Sequence, residues 1–207
     1  MLIIYSIFCL ALFFREKISR MNSRVPFPLR LIAAFIITGF ISETLAWTGS
    51  FFGKEEAPAL FHPQLFPDLY MSVGFYGGWG VALYFILKLW KLGLKEIFIM
   101  AGIIGVAIEQ NSAVLLLILQ ALTVNPLIAI FMALFLFVVY GSIAGLAFIL
   151  AGKDPGTEAK EGRWYKYPVT ISLMYISSLI FFYLLALLGK WAGLIPEVKK
   201  IYEHPFF

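Results

Sequence analysis

Residues 31–47, LIAAFIITGFISETLAW, and residues 97–118, IFIMAGIIGVAIEQNSAVLLLI, each place one glutamate inside an apolar run, Glu43 in the first and Glu109 in the second. A charged side chain at the centre of a membrane helix costs about 2.5–3.5 kcal/mol on insertion scales. Ionisable residues so placed face the bundle interior and mark functional positions by default. The rest of the chain is read around this pair.

The 207 residues are 61% hydrophobic and only 14% charged, with a mean hydropathy of +0.90. Soluble domains run at about 45–50% apolar and about 25% charged, so the bilayer is the expected solvent. The net charge of +4 is spread over short loops, which argues against a nucleic-acid partner. One cysteine, Cys9, excludes an internal disulfide framework and a CxxC metal site. With only His62 and His204 as imidazoles, no metal and no cofactor are expected. The partners expected are membrane lipid and a lipid-like substrate, with the oligomeric state open.

A spanning helix needs about 20 apolar residues. Five runs qualify, at about 29–48, 70–90, 97–123, 127–151 and 168–189. A sixth, 2–14, is apolar but short and is ended by Arg15 and Lys17. It lacks the basic start and cleavage site of a secretory signal. It reads as a short first span, with an interfacial helix or a truncated start as alternatives. Backbone groups in lipid must be satisfied within the segment. The expectation is therefore an all-α polytopic transmembrane bundle of six spans, forming one integral membrane domain over 1–207 with no soluble domain. Small residues at four-residue spacing, Gly74 with Gly78 and Gly141 with Gly145, predict close helix contacts, as do Ala101 and Gly105 leading to Glu109. No internal repeat is evident.

Basic residues cluster in loops 15–30, 88–95 and 152–167, which the positive-inside rule assigns to the cytoplasm of a cell membrane. The longest connection, Gly49 to Leu69, is aromatic and carries three prolines. It is expected on the outer membrane surface or folded back over the bundle. On these boundaries Glu43 lies about 21 Å along its span and Glu109 about 18 Å along its own. Two helices running the same way thus hold carboxylates at similar depth, able to face one cavity and share acid–base work.

Thr38, Ser42 and Thr44 flank Glu43, and Gln110, Asn111 and Ser112 follow Glu109. The latter polar run is costly unless it lines a cavity, bonds another helix or breaks the span. Interhelical hydrogen bonding alone is the competing explanation for both glutamates. Gln110, Asn111 and His62 are candidate substrate-orienting groups, with His62 otherwise a surface histidine before a turn. Tyr76 and Trp79 are candidate aromatic walls for a ligand, or else packing anchors. Asp68, Glu55 and Glu56 share the long loop with His62. The Glu55–Glu56 pair lacks the later histidines of a metalloprotease, and Ser142 has no histidine to activate it. Phosphate loops and aspartate-rich diphosphate motifs are missing.

The segment ETLAWTGSFFG, Glu43 to Gly53, resembles part of the bisanhydrobacterioruberin hydratase-type carotenoid-biosynthesis membrane proteins, through Glu43, Ala46, Thr48, Gly49, Phe52 and Gly53. The match covers about a dozen residues, needs a one-residue shift and lacks the aromatic pair that follows the FG in that family. The resemblance implies acid-assisted chemistry on a long isoprenoid chain. The leading expectation is an intramembrane enzyme in which Glu43 and Glu109 work on a lipid or isoprenoid. The alternatives are a small transporter or channel using them as cation or proton sites, and a structural or assembly subunit.

Overall fold

The computed structural model describes residues 2–21, 25–55, 60–109, 112–152 and 164–207, without the side chains of 19–21. Eight helices and no β-strand make up the described residues: α1 (Leu2–Phe13), α2 (Arg15–Met21), α3 (Phe27–Gly53), α4 (Leu65–Leu89), α5 (Leu94–Ile108), α6 (Ala113–Val124), α7 (Pro126–Ala151) and α8 (Lys166–Trp191). By length and composition α3, α4, α7 and α8 can each cross a membrane. A fifth crossing is available if α5 and α6, which meet at 86°, form one broken span. The chain therefore has the helices of a multi-pass integral membrane protein.

The elements begin and end where local chemistry dictates. Pro28 and Pro126 stand in the first turns of α3 and α7, where a missing N–H costs nothing. The side chain of Asn125 accepts from the backbone N–H of Ile128 at 3.3 Å and starts α7. At α5 the Glu96 carboxylate accepts from the Gly93 N–H at 2.7 Å. The same carboxylate pairs with Lys166 at 2.7 Å and accepts from the Tyr167 hydroxyl at 2.9 Å, tying the starts of α5 and α8 together.

Three boundaries differ from the sequence expectation. The 97–123 run is not one straight helix, because α5 ends at Ile108 and Ser112 adopts a left-handed backbone (φ 70°) before α6. The connection expected from Gly49 to Leu69 shrinks to residues 54–64. Phe51 and Phe52 extend α3 until Lys54 caps it in the left-handed region, and Phe66 and Pro67 fall in the first turn of α4. The short 2–14 run becomes the 12-residue α1, about 18 Å long at 1.5 Å per residue.

α4 is the most buried of the four long helices and packs between α3 and α8; α3 meets α7, which also packs on α5, α1, α6 and α2. Trp79, Tyr76, Phe35, Leu31, Leu83, Ile104 and Ile143 are among the fully buried side chains. Gly74 and Gly78 let α8 approach to backbone contact. A Cβ on Gly74 would stand 2.6 Å from the Phe181 carbonyl oxygen, and one on Gly78 would stand 2.7 Å from that of Ser177. The Ser177 hydroxyl donates to the Gly78 carbonyl at 2.9 Å across the same contact. Such close approach is how membrane helices gain packing energy where lipid offers no hydrophobic drive.

The C-terminal residues beyond α8 fold back over the 60–66 loop. Leu65 N–H donates to the Pro205 carbonyl at 3.0 Å, Phe66 N–H to that of Phe206 at 3.4 Å, and the Gln64 side chain to that of Lys199 at 2.9 Å. Trp47 of α3 donates its indole N–H to the Pro63 carbonyl at 3.0 Å and stacks near Phe206. Loop and tail thus close one end of the bundle. Replacing Gly78 by alanine should lower stability by about 1–3 kcal/mol through overpacking. Gly49→Ala, where an added methyl meets nothing within 4 Å, should not. Thermal unfolding of both variants in the same detergent checks the contrast.

Candidate functional site

Glu43 sits on α3 and is 8% exposed, in contact with α4 through the hydroxyl of Tyr76, which donates to its carboxylate at 2.6 Å. Glu109 caps the end of α5, and its carboxylate accepts the hydroxyl hydrogen of Tyr140 on α7. Each pair rests on a glycine four residues before the glutamate. A Cβ on Gly39 would run into the Tyr76 ring, and one on Gly105 into the Tyr140 ring. The tyrosine must cross the helix surface to reach its carboxylate, and only a residue without a side chain leaves it room. Each tyrosine is in turn followed by a glycine, Gly77 or Gly141. The Glu-to-Tyr separations are 33 and 31 residues. The same local device, Gly-x3-Glu against Tyr-Gly, therefore occurs twice, on α3/α4 and on α5/α7.

Trp79 joins the two. Its ring centroid lies 6.1 Å from that of Tyr76 and 6.2 Å from that of Tyr140. It is fully buried, and its indole N–H has no partner among the described residues. None of Glu43, Glu109 and Asp68 forms an ion pair among the described residues. Glu43 and Glu109 occupy separate helix interfaces, each with its own phenol, and the two phenols pack on the one Trp79 ring. A carboxyl group held by a phenol on one oxygen keeps lone pairs to take up or release a proton.

The helices that carry the Glu109 pair also bound an open groove of about 360 Å³, lined by Ile103, Val106, Ala107, Leu115, Ala133, Leu134 and Phe137. These come from α5, α6 and α7 and are all apolar. Ala107 and Phe137 stand within a turn of Glu109 and Tyr140. The half-exposed Ile103 and Leu134 place the mouth of the groove on the molecular surface.

The other sequence candidates fall differently. Thr38 spends its hydroxyl on the Ala34 and Phe35 carbonyls of its own helix (2.9 and 3.1 Å). Ser42 is buried and Thr44 exposed. Gln110 and Asn111 lie outside the described residues. His62 is buried in the loop, not at a surface turn. Its Nδ1 accepts the Gln64 N–H at 3.2 Å, which puts the ring proton on Nε2, 3.3 Å from the Pro196 carbonyl. Its backbone N–H donates to Asp68 at 3.1 Å. Asp68, expected in the loop, stands in the first turn of α4 and is fully buried. Tyr140 was not among the sequence candidates, although the repeated Gly-x3-Glu and Tyr-Gly spacing was present to find it.

No family model, no curated protein and no solved structure matches the chain.

Two outcomes follow from this geometry. Tyr76→Phe leaves the buried Glu43 carboxyl without its donor and should cost about 1–3 kcal/mol, and Tyr140→Phe, at the half-buried Glu109, should cost less. Glu43→Gln, which keeps an acceptor for Tyr76, should cost less; unfolding temperatures in detergent rank the three. Burial holds the His62 imidazole below its ordinary value of 6.5, so the unfolded chain takes up the proton first. Its contribution to the loop–tail contact is then complete above about pH 6.5 and is lost as pH falls through the lower folded value. Protection factors for hydrogen exchange at Gln64 and Leu65 should fall on acidification, and His62→Gln should flatten that response.

Proposed function

We propose that this protein is an intramembrane enzyme in which Glu109, backed by Tyr140, performs acid–base chemistry on a lipid or isoprenoid chain lying in the α5–α6–α7 groove. The carrying observation is an all-apolar open groove that starts within one turn, along α5 and α7, of a half-buried carboxyl–phenol pair. Such a groove suits a hydrocarbon chain and offers nothing to a hydrated ion. In this scheme Glu109 gives its proton to an electron-rich carbon or to a hydroxyl oxygen of the chain, and the Tyr140 hydroxyl steadies the carboxylate left behind. The same carboxylate then recovers a proton from product or from the Glu43 side. Protonation-initiated hydration, elimination or isomerisation fits this pattern. The resemblance of residues 43–53 to carotenoid hydratase-type proteins supports a carotenoid-like substrate. His62 belongs to the loop–tail closure in this reading, and Tyr76 and Trp79 are buried packing anchors outside the groove lining.

The accompanying topology is six spans, with α1 a short first one and α5–α6 a broken fourth. Loops 15–30, 88–95 and 152–167 face the cytoplasm, and the loop–tail closure faces outward. A second reading, a proton- or cation-coupled transporter, draws on the twofold occurrence of the Glu–Tyr device and on the broken helix at Glu109, both features of transporter cores.

Incubation of the purified protein with a long acyclic polyene, followed by mass spectrometry of the extract, tests the first reading. The wild type should yield a product changed by water or by double-bond position. Glu109→Gln should lose about 100-fold or more of that rate, and Ala107→Phe should lose it by filling the groove. An inert polyene, together with Glu109-dependent proton flux in proteoliposomes, would favour the transporter.

A further inference from the structure

The two ends of the bundle differ in charge. One end is formed where α4 finishes and where α3, α5 and α8 begin. Direct contacts gather these segments. Lys166 of α8 pairs with Glu96 of α5 at 2.7 Å and donates to the Lys91 carbonyl at 3.4 Å. Trp90, just past α4, packs edge-on against Tyr165 with ring centroids 6.1 Å apart. α3 runs antiparallel to α4, since Gly39 meets Tyr76 while Gly80 meets Ile32, and this brings Arg30 to the same end.

In the stretches that build this end, 27–31, 84–96 and 164–170, the cations are Arg30, Lys88, Lys91, Lys95 and Lys166, and Glu96 is the one carboxylate. Lys166 takes Glu96, and the other cations find no carboxylate among the described residues. Lys88, Lys91 and Lys95 are exposed. Arg30 is half-buried, its guanidinium 5.7 Å from the Phe27 ring centre and its Nε enclosed without an acceptor among the described residues. A guanidinium meets phosphate oxygens with its N–H fork. Residues 153–163, which join α7 to α8, add acids and bases in equal number. The opposite end is balanced: Lys200 pairs with Glu203 at 3.8 Å, and Glu55, Asp68 and Glu197 stand against Lys54, Lys190 and Lys199. Exposed Trp164, Tyr165 and Tyr167 mark the basic end alone of these two as an aromatic rim beside unpaired cations, and such rings settle at the level of lipid headgroups.

We propose that the basic end binds the headgroups of anionic phospholipids, with Arg30 donating to phosphate oxygens and Lys88, Lys91 and Lys95 supplying the attraction. Charge complementarity selects the occupant, because a cluster of cations beside membrane helices gains about fivefold in affinity for anionic lipid per Lys or Arg. Phosphatidylcholine carries its own ammonium and gains little from the cluster. The aromatic rim sets the cations at headgroup depth, where a lipid rather than a soluble anion meets them. This surface is independent of the groove and of any chemistry at Glu109.

The test is native mass spectrometry of the full chain released from detergent micelles that contain phosphatidylglycerol or phosphatidylcholine over a range of concentrations. The wild type should retain phosphatidylglycerol at lower concentration than phosphatidylcholine. Arg30→Gln should weaken that retention about fivefold, and Lys88→Gln, Lys91→Gln and Lys95→Gln combined should weaken it about 100-fold. Lys190→Gln with Lys199→Gln, at the opposite end, should leave it unchanged. Equal retention of the two lipids overturns the proposal, as does unchanged affinity in the triple variant or in a folded Arg30→Gln. So does a loss at Lys190 and Lys199 as large as that of the triple variant, or complete displacement of the lipid by millimolar inorganic phosphate. The triple variant changes only exposed side chains, so it decides alone where Arg30→Gln fails to fold.

Discussion

A carboxyl group buried among apolar helices must be given a hydrogen-bond donor, and most of the arrangement around Glu43 and Glu109 follows from that demand. Each donor is a tyrosine hydroxyl from the neighbouring helix. A phenol reaches a carboxylate across a helix surface only if its ring lies on that surface, so Gly39 and Gly105 are required where they stand. The ring contacts then set how closely α3 approaches α4 and α5 approaches α7. Trp79 fills the space between the two tyrosines and turns two local solutions into one core. An unsatisfied polar group in such a place costs several kcal/mol, so the donors and the glycines stand or fall together.

Helix identity was legible in the sequence because hydropathy acts over whole segments: α3, α4, α7 and α8 each fall on an apolar run read from composition alone. The positions of Glu43 and Glu109 were legible for the same reason, since a charge in hydrocarbon stands out against its surroundings. Their partners were not. Tyr140 is one aromatic among many in an apolar run, and what distinguishes it is a contact 31 residues from Glu109. Its signature was a weak repeat of glycine spacing, below the level at which an internal repeat is visible by eye. The loop boundaries failed for a local reason. Aromatic residues such as Phe51 and Phe66 suit either a helix end or an interfacial loop, and the choice was made by the Lys54 cap and by the tail that binds Leu65 and Phe66. Asp68 looked like a loop acid because the helix start lay earlier than hydropathy suggested.

The two glutamates are unequal despite their matching devices. Glu43 is embedded between α3 and α4, beneath the loop and tail that hold His62 and Asp68. Glu109 sits where α5 ends and the chain turns by 86° into α6, beside a groove that opens at the surface. A broken helix is tolerated at membrane depth where its loose backbone groups are buried in protein or line a cavity. The break therefore suits the less buried member of the pair. In the proposed scheme Glu109 is the group that meets the substrate and Glu43 the one that exchanges protons elsewhere, and the asymmetry is compatible with that division.

A purely structural role for the carboxylates meets an energetic difficulty. Replacing both partners of a buried polar pair by apolar groups of the same shape is close to neutral for stability. Helix pairing also has other support, from the backbone contacts at Gly74 and Gly78 and from the salt bridge between Glu96 and Lys166. Two Glu–Tyr pairs, a buried indole N–H without a partner and an unpaired Asp68 oxygen are a costly way to fasten helices that glycine contacts already fasten. These costs are concentrated along one line, from Asp68 through Glu43 to Glu109. The proposed acid–base chemistry would give these groups a role that fastening alone does not.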